Sequence, residues 1–392
     1  MTSALTPQHL TPREILTRLV AFRSVSRDSN LDLVDWVEGY LASHGVTAQR
    51  VYNAEGTKAA LYATVGPSVA GGVILSGHTD VVPVDGQDWT SDPWIVTERN
   101  GRLYGRGTCD MKGFDALALA AVPLALARGV KRPLQIALSY DEEVGCTGAP
   151  PMIAAMAAGL PRAAAVVVGE PSMMKMVNGH KGGTGFRVQV KGFEVHSSLL
   201  PEGVSAIMEA ARLVGWINDQ NAALQAQAPS ALAALFRPPH STLHVGMMSG
   251  GTAHNITAGD CRFVMETRIV PGESLEDWAL AFEAEGARLD RALKAVRPEA
   301  GVVVERFFHV PGLQPETDGA AEALVRRLTG DNGRAVVSYG TEAGQFQEAG
   351  YSVVVCGPGD IAQAHQPDEF LELAQFQAGW AFMQRLVDDL AA

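Results

Sequence analysis

The sequence predicts an α/β protein, a doubly wound and mainly parallel sheet into which an α+β module of the ferredoxin-like type is inserted. Three observations support this prediction. Apolar strands alternate with helices up to about residue 180, the order then changes to strand, helix, two strands, helix and strand, and the first alternation resumes from about residue 318. We therefore predict one domain in two parts, residues 1–180 and 310–392, and an inserted domain over residues 181–309.

Helices and strands alternate through the first part of the chain. Thr11, Pro12 and Glu14 form a capping-box pattern that predicts a first helix, and "LDLVDWVEGYLASHG" predicts a second that ends at Gly45. The segments "ALYATV", "GGVILSG", "LQIALSY" and "AAAVVVGE" predict strands, and helices are predicted near residues 111–128 and 151–158. Such alternation is typical of a parallel sheet with helices on both faces.

The inserted segment has a different pattern. "GTGFRVQVKGFEVHSS" alternates polar and apolar residues, which predicts a half-exposed strand, and a helix follows over residues 203–219. "STLHVGMMSGG" and "GDCRFVMETRIVPG" predict two more strands, "SLEDWALAFEAEGARLDRAL" an amphipathic helix and "GVVVERFFHV" a last strand. Beyond them, "AVVSYG" and "YSVVVCG" predict further strands of the first sheet, and a final helix follows Asp368.

Charge and composition exclude several classes of protein. Lys and Arg number 31 against 43 Asp and Glu, and the formal net charge of −12 is unfavourable for binding nucleic acid or an anionic membrane. The longest apolar run, from Ala116, is shorter than the roughly 20 residues of a membrane span. No signal-peptide pattern precedes the first helix and the four cysteines form no C-x-x-C pair, so we expect a cytoplasmic protein with reduced thiols and a small-molecule partner.

Histidines and carboxylates follow the ends of several predicted strands. Ligands of doubly wound sheets bind beyond the carboxyl ends of the strands, so we expect these side chains to converge. The residues concerned are His78, Asp80, Asp110, Glu142, Glu143, Glu170 and His365.

Two imidazoles and three carboxylates among them suit zinc, cobalt or manganese better than calcium. The predicted metal ligands are His78, Asp110, Glu143, Glu170 and His365. If Asp110 bridges two ions, His78 can pair with Glu170 and His365 with Glu143. Any one of these residues alone is more typical of a surface or capping position, but five such segments in this order favour a metal site.

Two neighbours of the predicted ligands also have predicted roles. Asp80 can accept the second ring N–H of His78 and fix its tautomer. Glu142 is placed to take a proton from a water at the site and later to deliver it to a leaving amine.

Longer motifs surround these residues: "GHTDVVP", "GRGTCDMKG", "DEEVGCTGA", "GEPS" and "HQPDEF", with "VKGFEVHSS" and "GGTAHNI" in the inserted segment. With them, nearly the whole chain resembles the M20 family of dinuclear zinc amidohydrolases and peptidases, and within it the acetylornithine deacetylases. The resemblance implies a catalytic domain in two parts and an inserted lid and dimerisation domain. It also implies that the five residues named above bind metal with Asp110 bridging, and that Glu142 is the general acid/base.

Further residue roles are implied by the same resemblance. His196 in "FEVHSS" matches the family's lid histidine, which in a dimer reaches the partner subunit's site to stabilise the tetrahedral oxyanion. Asn255 and Arg268 match positions that contact substrate, Arg268 by gripping a carboxylate, and Gly340 and Thr341 match a substrate-side loop. Without the resemblance, His196 could be a surface histidine and Arg268 an exposed cross-strand residue.

The implied activity is metal-dependent hydrolysis of the amide bond of an N-acyl amino acid. The favoured substrate is N2-acetyl-L-ornithine, cleaved to L-ornithine and acetate in arginine biosynthesis. Two divalent metal ions, zinc before cobalt, and a homodimer through the inserted domain are also implied. Other activities of the family stay open, namely succinyl-diaminopimelate desuccinylase, aminoacylase and metallo-carboxypeptidase, as does a catalytically silent protein that binds amino-acid derivatives.

Overall fold

The structure is a computed structural model that describes residues 9–392. The chain divides into two compact units. The first runs through Gly179 and also contains Pro315–Ala335 and Thr341–Ala392, and the second comprises His180–Gln314 and Val336–Gly340. The domain limits drawn from the sequence, at residues 180 and 309, stay a prediction, and the structure groups residues 336–340 with the inserted segment.

Nine α-helices form within residues 9–392. Thr11 caps the first, because its Oγ1 accepts a hydrogen bond from Glu14 N while its own N–H donates to Glu14 Oε2 at 2.8 Å, so the predicted capping box is present. The helices are α1 (Pro12–Ala21), α2 (Leu31–Ser43), α3 (Lys112–Arg128), α4 (Ala149–Gly159), α5 (Ala206–Ala226), α6 (Leu275–Val296), α7 (Ala320–Thr329), α8 (Ala343–Glu348) and α9 (Leu373–Ala391). Short 3₁₀ segments lie at Ser197–Glu202, Ala233–Leu235 and Ile361–Gln363.

Fifteen strands form in the same described part of the chain. They are β1 (Ala48–Tyr52), β2 (Ala59–Val65), β3 (Val73–His78), β4 (Thr97–Arg99), β5 (Arg102–Tyr104), β6 (Leu134–Ser139), β7 (Ala165–Pro171), β8 (Val177–His180), β9 (Gly183–Lys191), β10 (Thr242–Gly250), β11 (Asp260–Arg268), β12 (Gly301–Val310), β13 (Ala335–Val337), β14 (Val353–Gly357) and β15 (Phe370–Glu372). Five short strands, each of three to five residues, are not predicted from the sequence because so short a run shows little periodicity: β1, β4, β5, β8 and β15.

The largest sheet has the strand order β1-β2-β6-β3-β7-β14-β8-β13. Its centre, β6-β3-β7-β14, is parallel, whereas β1, β2 and β8 pair antiparallel with their neighbours. The four central strands are buried along their whole length, as expected for a sheet packed between helices. His78 at the end of β3 lies opposite Ser139 at the end of β6, so both strands end at one edge of the sheet.

A second, three-stranded sheet joins distant parts of the first unit. β15 pairs antiparallel with β5, and β5 with β4. Leu371 lies opposite Leu103, and both side chains are buried. This sheet fixes the segment that follows His365 to the segment that precedes Asp110.

The second unit contains the antiparallel sheet β10-β11-β9-β12 together with α5 and α6. Its element order, β9, α5, β10, β11, α6 and β12, is the predicted strand and helix order. Phe186 of β9 packs against Phe282 of α6 with ring centroids 5.1 Å apart, and both side chains are buried. Met247 and Val303 are exposed, which fits a sheet covered on one face.

Candidate metal centre and active site

The predicted metal ligands all belong to the first unit and come from five segments. His78 is the last residue of β3, Glu143 follows β6 and Glu170 lies near the end of β7. Asp110 precedes α3, and His365 lies in the loop before β15. The edge of the parallel sheet and the two adjoining loops therefore meet, as the sequence predicts for strand-end residues.

Two groups of three side chains share Asp110. One is His78, Asp110 and Glu170, the other is Asp110, Glu143 and His365, and the candidate ligand atoms of each group lie within 4.8 Å of one another. His78 Nε2 is 3.0 Å from Asp110 Oδ1 and 3.6 Å from Glu170 Oε1. His365 Nε2 is 3.2 Å from Asp110 Oδ2 and 2.9 Å from Glu143 Oε2. The two oxygens of Asp110 thus face different histidines, as a bridging carboxylate requires.

Two carboxylate oxygens of these groups are buried without a hydrogen-bond partner among the described residues, Oε1 of Glu143 and Oε1 of Glu170. Such oxygens are rare in native interiors because an unsatisfied charged acceptor costs free energy. A cation would satisfy both oxygens, and imidazole nitrogens with carboxylate oxygens are donors that zinc and cobalt accept. The residues therefore fit a pair of divalent metal ions.

Burial and mutual repulsion raise the pKa values of the glutamates in the site. Burial, with the charge of Asp110 next, raises the pKa of Glu143 to about 7, and burial raises that of Glu142 to about 8. The pKa of Glu170 also lies well above its usual value, mainly through burial. Hydrogen bonds to Asp110 and Glu143 raise the pKa of His365 to about 10. A bound cation would reverse these shifts, because it favours ionised carboxylates and neutral imidazoles.

Asp80 lies against the His78 ring through its backbone carbonyl rather than through its carboxylate. The ring Nδ1 of His78 lies 2.9 Å from the backbone carbonyl oxygen of Asp80 but 3.6 Å from its carboxylate. The carboxylate instead accepts hydrogen bonds from Ser26 Oγ at 2.7 Å and from the backbone N–H groups of Glu142 at 3.1 Å and Glu143 at 3.4 Å. The chain turns after β3, which places the Asp80 carbonyl against the His78 ring. The Asp80 carboxylate then points to the loop that contains Glu142 and Glu143. Asp80 therefore orients His78 and also positions the Glu142–Glu143 segment.

A buried ion pair behind the site is missed by sequence analysis. Arg106 Nη1 and Glu369 Oε2 are 2.6 Å apart, and Glu369 Oε1 accepts a hydrogen bond from Asp110 N at 3.1 Å. Arg106 Nη2 donates to Gln87 Oε1 at 2.5 Å, and Gln87 Nε2 donates to the carbonyl of His365 at 2.9 Å. One network thus holds the backbone of both Asp110 and His365. The motifs "GRGTCDMKG" and "HQPDEF" contain the pair, but a single sequence does not show that the two charges meet.

Thr341, predicted to lie in a substrate-side loop, is buried, and its Oγ1 accepts a hydrogen bond from Ala343 N at 3.1 Å. The next residue, Glu342, is also buried and accepts hydrogen bonds from Ser76 Oγ at 2.5 Å and Ser139 Oγ at 2.7 Å. These bonds join the neighbouring strands β3 and β6 just below their ends. Burial raises the pKa of Glu342. The contact of Thr341 with substrate stays a prediction.

The other residues predicted to act on substrate belong to the second unit: His196, Asn255, Arg268 and Gly340. His196 and Asn255 are exposed, and the residue after His196 donates a backbone hydrogen bond of 2.9 Å to the Asn255 carbonyl. Arg268 Nη2 lies 3.0 Å from Glu266 Oε2, and a β-carbon at Gly340 would lie 3.9 Å from Arg268 Nη1. The structure brings these residues together in pairs, and their roles stay predictions.

Candidate metal ligands at the strand ends of this fold fit a class of protein, the metal-dependent amidohydrolases, and the comparison with known families agrees. Peptidase family M20/M25/M40 matches residues 74–389, and the chain belongs to this family.

Relatives of known name and structure agree with this class. The chain is 38% identical to the acetylornithine deacetylase of Myxococcus xanthus over 96% of each chain, and 35% identical to that of Salmonella arizonae over 92% of each. Its fold is similar to an M20 family metallo-carboxypeptidase from Sulfolobus solfataricus, with a TM-score of 0.78 at 16% identity, covering 97% of this chain and 99% of the other. A dinuclear metal-binding peptidase of the family from Bacillus subtilis gives a TM-score of 0.63 at 14% identity, covering 97% of each chain.

These comparisons confirm the resemblance to the M20 family, the α/β fold with its inserted module, and the enzyme class, a metal-dependent amidohydrolase. Within residues 9–392, no helix has the length and apolar character of a transmembrane span.

Proposed function

We propose that the protein hydrolyses N2-acetyl-L-ornithine to L-ornithine and acetate, a step of arginine biosynthesis, in the cytoplasm. The observation that carries the reaction type is the pair of three-residue groups that share Asp110. Glu142, next to the candidate ligand Glu143, supplies a proton-transfer group in the same loop. The choice of substrate rests on the relatives named acetylornithine deacetylase, which match 92–96% of this chain.

Two divalent metal ions belong to the proposal, zinc before cobalt. His78, Asp110 and Glu170 would hold one ion, and Asp110, Glu143 and His365 the other. Bound there, the ions supply Lewis acidity toward a carbonyl oxygen and lower the pKa of a water. Asp80 and Glu369 accept hydrogen bonds from the backbone of the segments that carry the candidate ligands. These bonds fix the segments before the metal binds, so metal binding costs less conformational entropy.

Glu142 is the proposed general base and general acid. The Asp80 carboxylate holds its backbone N–H at 3.1 Å. Burial raises the pKa of Glu142 to about 8, so its carboxyl group can take up and release a proton near neutral pH. In the proposed reaction, Glu142 accepts a proton from the attacking water and passes that proton to the leaving nitrogen of the substrate.

The inserted domain is proposed to recognise the substrate. The Arg268 side chain is 38% exposed and offers a guanidinium group for the α-carboxylate. Asn255, Gly340 and Thr341 are proposed substrate contacts. His196 is proposed to donate a hydrogen bond to the oxyanion that forms on the substrate carbonyl, in the site of a partner subunit.

A homodimer through the inserted domain completes the proposal. β10 and β12 are the edge strands of the inserted sheet, and Met247 and Val303 on these strands are 71% and 54% exposed. An unpaired strand edge is a template on which a second copy can pair. Light scattering coupled to size-exclusion chromatography measures the mass directly. If the mass at assay concentrations is that of a monomer, both the proposed dimer and the proposed action of His196 in a partner's site are refuted.

The test is amine release from a panel of N-acetyl, N-succinyl and N-formyl amino acids and dipeptides. Metal-stripped protein is assayed with and without added Zn²⁺ or Co²⁺. We expect metal-dependent cleavage with the highest kcat/KM for N2-acetyl-L-ornithine. A preference for succinyl-diaminopimelate, an apolar acyl-amino acid or a dipeptide would replace the substrate and keep the reaction type. Absence of any metal-dependent cleavage would refute the proposal and favour a protein that only binds amino-acid derivatives.

A further inference from the structure

The carboxylate of Glu142 has a thiol as its hydrogen-bond donor. Cys146 Sγ lies 3.2 Å from Glu142 Oε1, and the cysteine is 3% exposed. The thiol thus faces Oε1 directly and contributes to where that oxygen points.

The backbone of the same loop aims the thiol at Glu142. The N–H groups of Gly145 and Cys146 both donate to the carbonyl oxygen of Glu142 at 3.0 Å, which closes a tight turn. Cys146 has a φ of 54°, a conformation that a β-carbon makes unfavourable and that glycine adopts freely. Strain of this kind in a non-glycine residue persists only when the surroundings enforce it, and it clusters at functional sites.

A second element holds the turn from outside. Gln345 in α8 donates a hydrogen bond from Nε2 to the Cys146 carbonyl at 3.1 Å, and the glutamine is 7% exposed. This bond fixes the peptide plane that follows the Cys146 side chain. The position of the thiol is thus determined on both sides of the residue.

The chemistry of a buried thiol suits it to donate. Burial, with the negative charge of Glu142 next, raises the pKa of Cys146 well above its usual value, so the S–H proton stays in place. A protonated thiol is a weak donor, and a carboxylate is an acceptor that strengthens the bond. The same shift makes this cysteine a poor nucleophile, which argues against a covalent role.

We propose that Cys146 is a positioning residue that holds Glu142 Oε1 in the orientation needed for proton transfer. The inference rests on the proposed role of Glu142 as general acid and base. In this proposal the thiol neither contacts the substrate nor binds a metal ion.

The kinetic test compares three substitutions of Cys146 on whichever substrate the wild type hydrolyses best. Cys146→Ala removes the donor, and we expect kcat to fall about fivefold with KM within about twofold, as for loss of one hydrogen bond to a charged group. Cys146→Ser keeps a donor and should recover most of kcat. Cys146→Gly removes both donor and backbone strain, so kcat should fall as in the alanine variant while the melting temperature is no lower than that variant's.

Cys261→Ala is the matched control, because Cys261 is a buried cysteine in β11 of the second unit, and it should keep wild-type kcat. A role in packing alone would lower the melting temperature without lowering kcat, and serine would then be no better than alanine. Wild-type kcat in the alanine and glycine variants would overturn the proposal.

An infrared measurement tests the hydrogen bond without any substrate. The S–H stretching band lies in a region without other protein bands and moves to lower frequency when the thiol donates. Subtracting the spectrum of Cys146→Ala isolates this thiol from the other three cysteines. We expect Glu142→Ala to move the Cys146 band to higher frequency, and Glu348→Ala, at an exposed site, to leave it unchanged.

A band that does not respond to Glu142→Ala would refute the bond and the positioning role together. If no substrate of the panel is cleaved, the proposed function fails while the infrared result still decides whether the thiol holds Glu142.

Discussion

The two units differ in how they hold their candidate functional residues, although the candidate ligand His365 of the first unit is itself 50% exposed. In the first unit, His78, Asp110 and Glu170 are at most 5% exposed, and hydrogen bonds from distant segments fix them or their neighbours. In the second, His196 is exposed and its ring contacts Ser198, two residues away, at 2.8 Å. A metal centre requires ligands assembled in advance, which brings like charges close together, whereas substrate recognition can use side chains that adjust.

The largest expected effect lies in the first unit. Glu142→Gln should lower kcat by roughly 1,000-fold, because an amide cannot accept the proton of the attacking water. Steady-state kinetics measures the loss, and elemental analysis should show unchanged metal content, because Glu142 is not a predicted ligand. Activity within tenfold of the wild type would remove Glu142 from the chemistry and weaken the contrast between the two units.

The next effect tests whether an exposed residue can also be essential. His196→Ala should lower kcat by roughly 100-fold, as expected for loss of one donor to an oxyanion. Ser198→Ala removes the neighbour of the ring and serves as the control, with kcat within about threefold. Because His196 is exposed, neither change should alter metal content or melting temperature. If both variants lose activity equally, the loss reflects the local loop rather than the imidazole.

Recognition of the substrate carboxylate should show a smaller effect. Arg268→Lys keeps the charge but loses the planar fork that binds a carboxylate through two hydrogen bonds, so KM should rise about tenfold with kcat within about threefold. Glu266→Gln, which frees Arg268 from its ion pair, is the matched control and should not raise KM. An equal rise of KM for a substrate amide without the carboxylate would contradict the assignment.

The smallest expected effect is thermodynamic and sharpens the account of charge repulsion. In the metal-free protein, folding raises the pKa values of Glu142 to about 8, of Glu143 to about 7, and of Glu170. The folded state then binds more protons than the unfolded state, so stability is fully present below about pH 4.5 and is lost as the pH rises through these values.

Calorimetry of chelated and metal-loaded protein tests this sign. The gap between their melting temperatures should widen by roughly 5 °C between pH 5 and pH 8. A gap that narrows with rising pH would mean that the carboxylates do not repel one another in the metal-free site.

Features that depend on a local pattern of residues can be predicted from the sequence. His78 and Glu170 are found because apolar runs mark strands and the residues at their ends can be read directly. The family resemblance supplies His196, Asn255 and Arg268, which the local pattern alone does not distinguish from surface residues. Both the strand pattern and the family motifs consist of residues that are contiguous in the sequence.

Features that depend on tertiary pairing are not predicted. β15 pairs with β5 across most of the chain length, and the Arg106–Glu369 pair joins residues 263 positions apart. The choice of the Asp80 carbonyl over its carboxylate depends on how the chain turns after β3. The bond from Cys146 to Glu142 depends on a positive φ at Cys146, which a cysteine in the sequence does not indicate. These tertiary contacts cannot be predicted from a single sequence.

The pairing of β5 with β15 also determines the order in which the candidate metal ligands can assemble during synthesis. On the ribosome, Asp110 emerges long before Glu369, the residue that anchors its backbone, and long before His365, the candidate ligand of the second ion. Closing so long a loop costs more conformational entropy than pairing neighbouring segments does, and non-local contacts form more slowly than local ones. The nascent polypeptide therefore carries four of the five candidate ligands before the fifth is made, and the second group of three is complete only after the later segment has folded back.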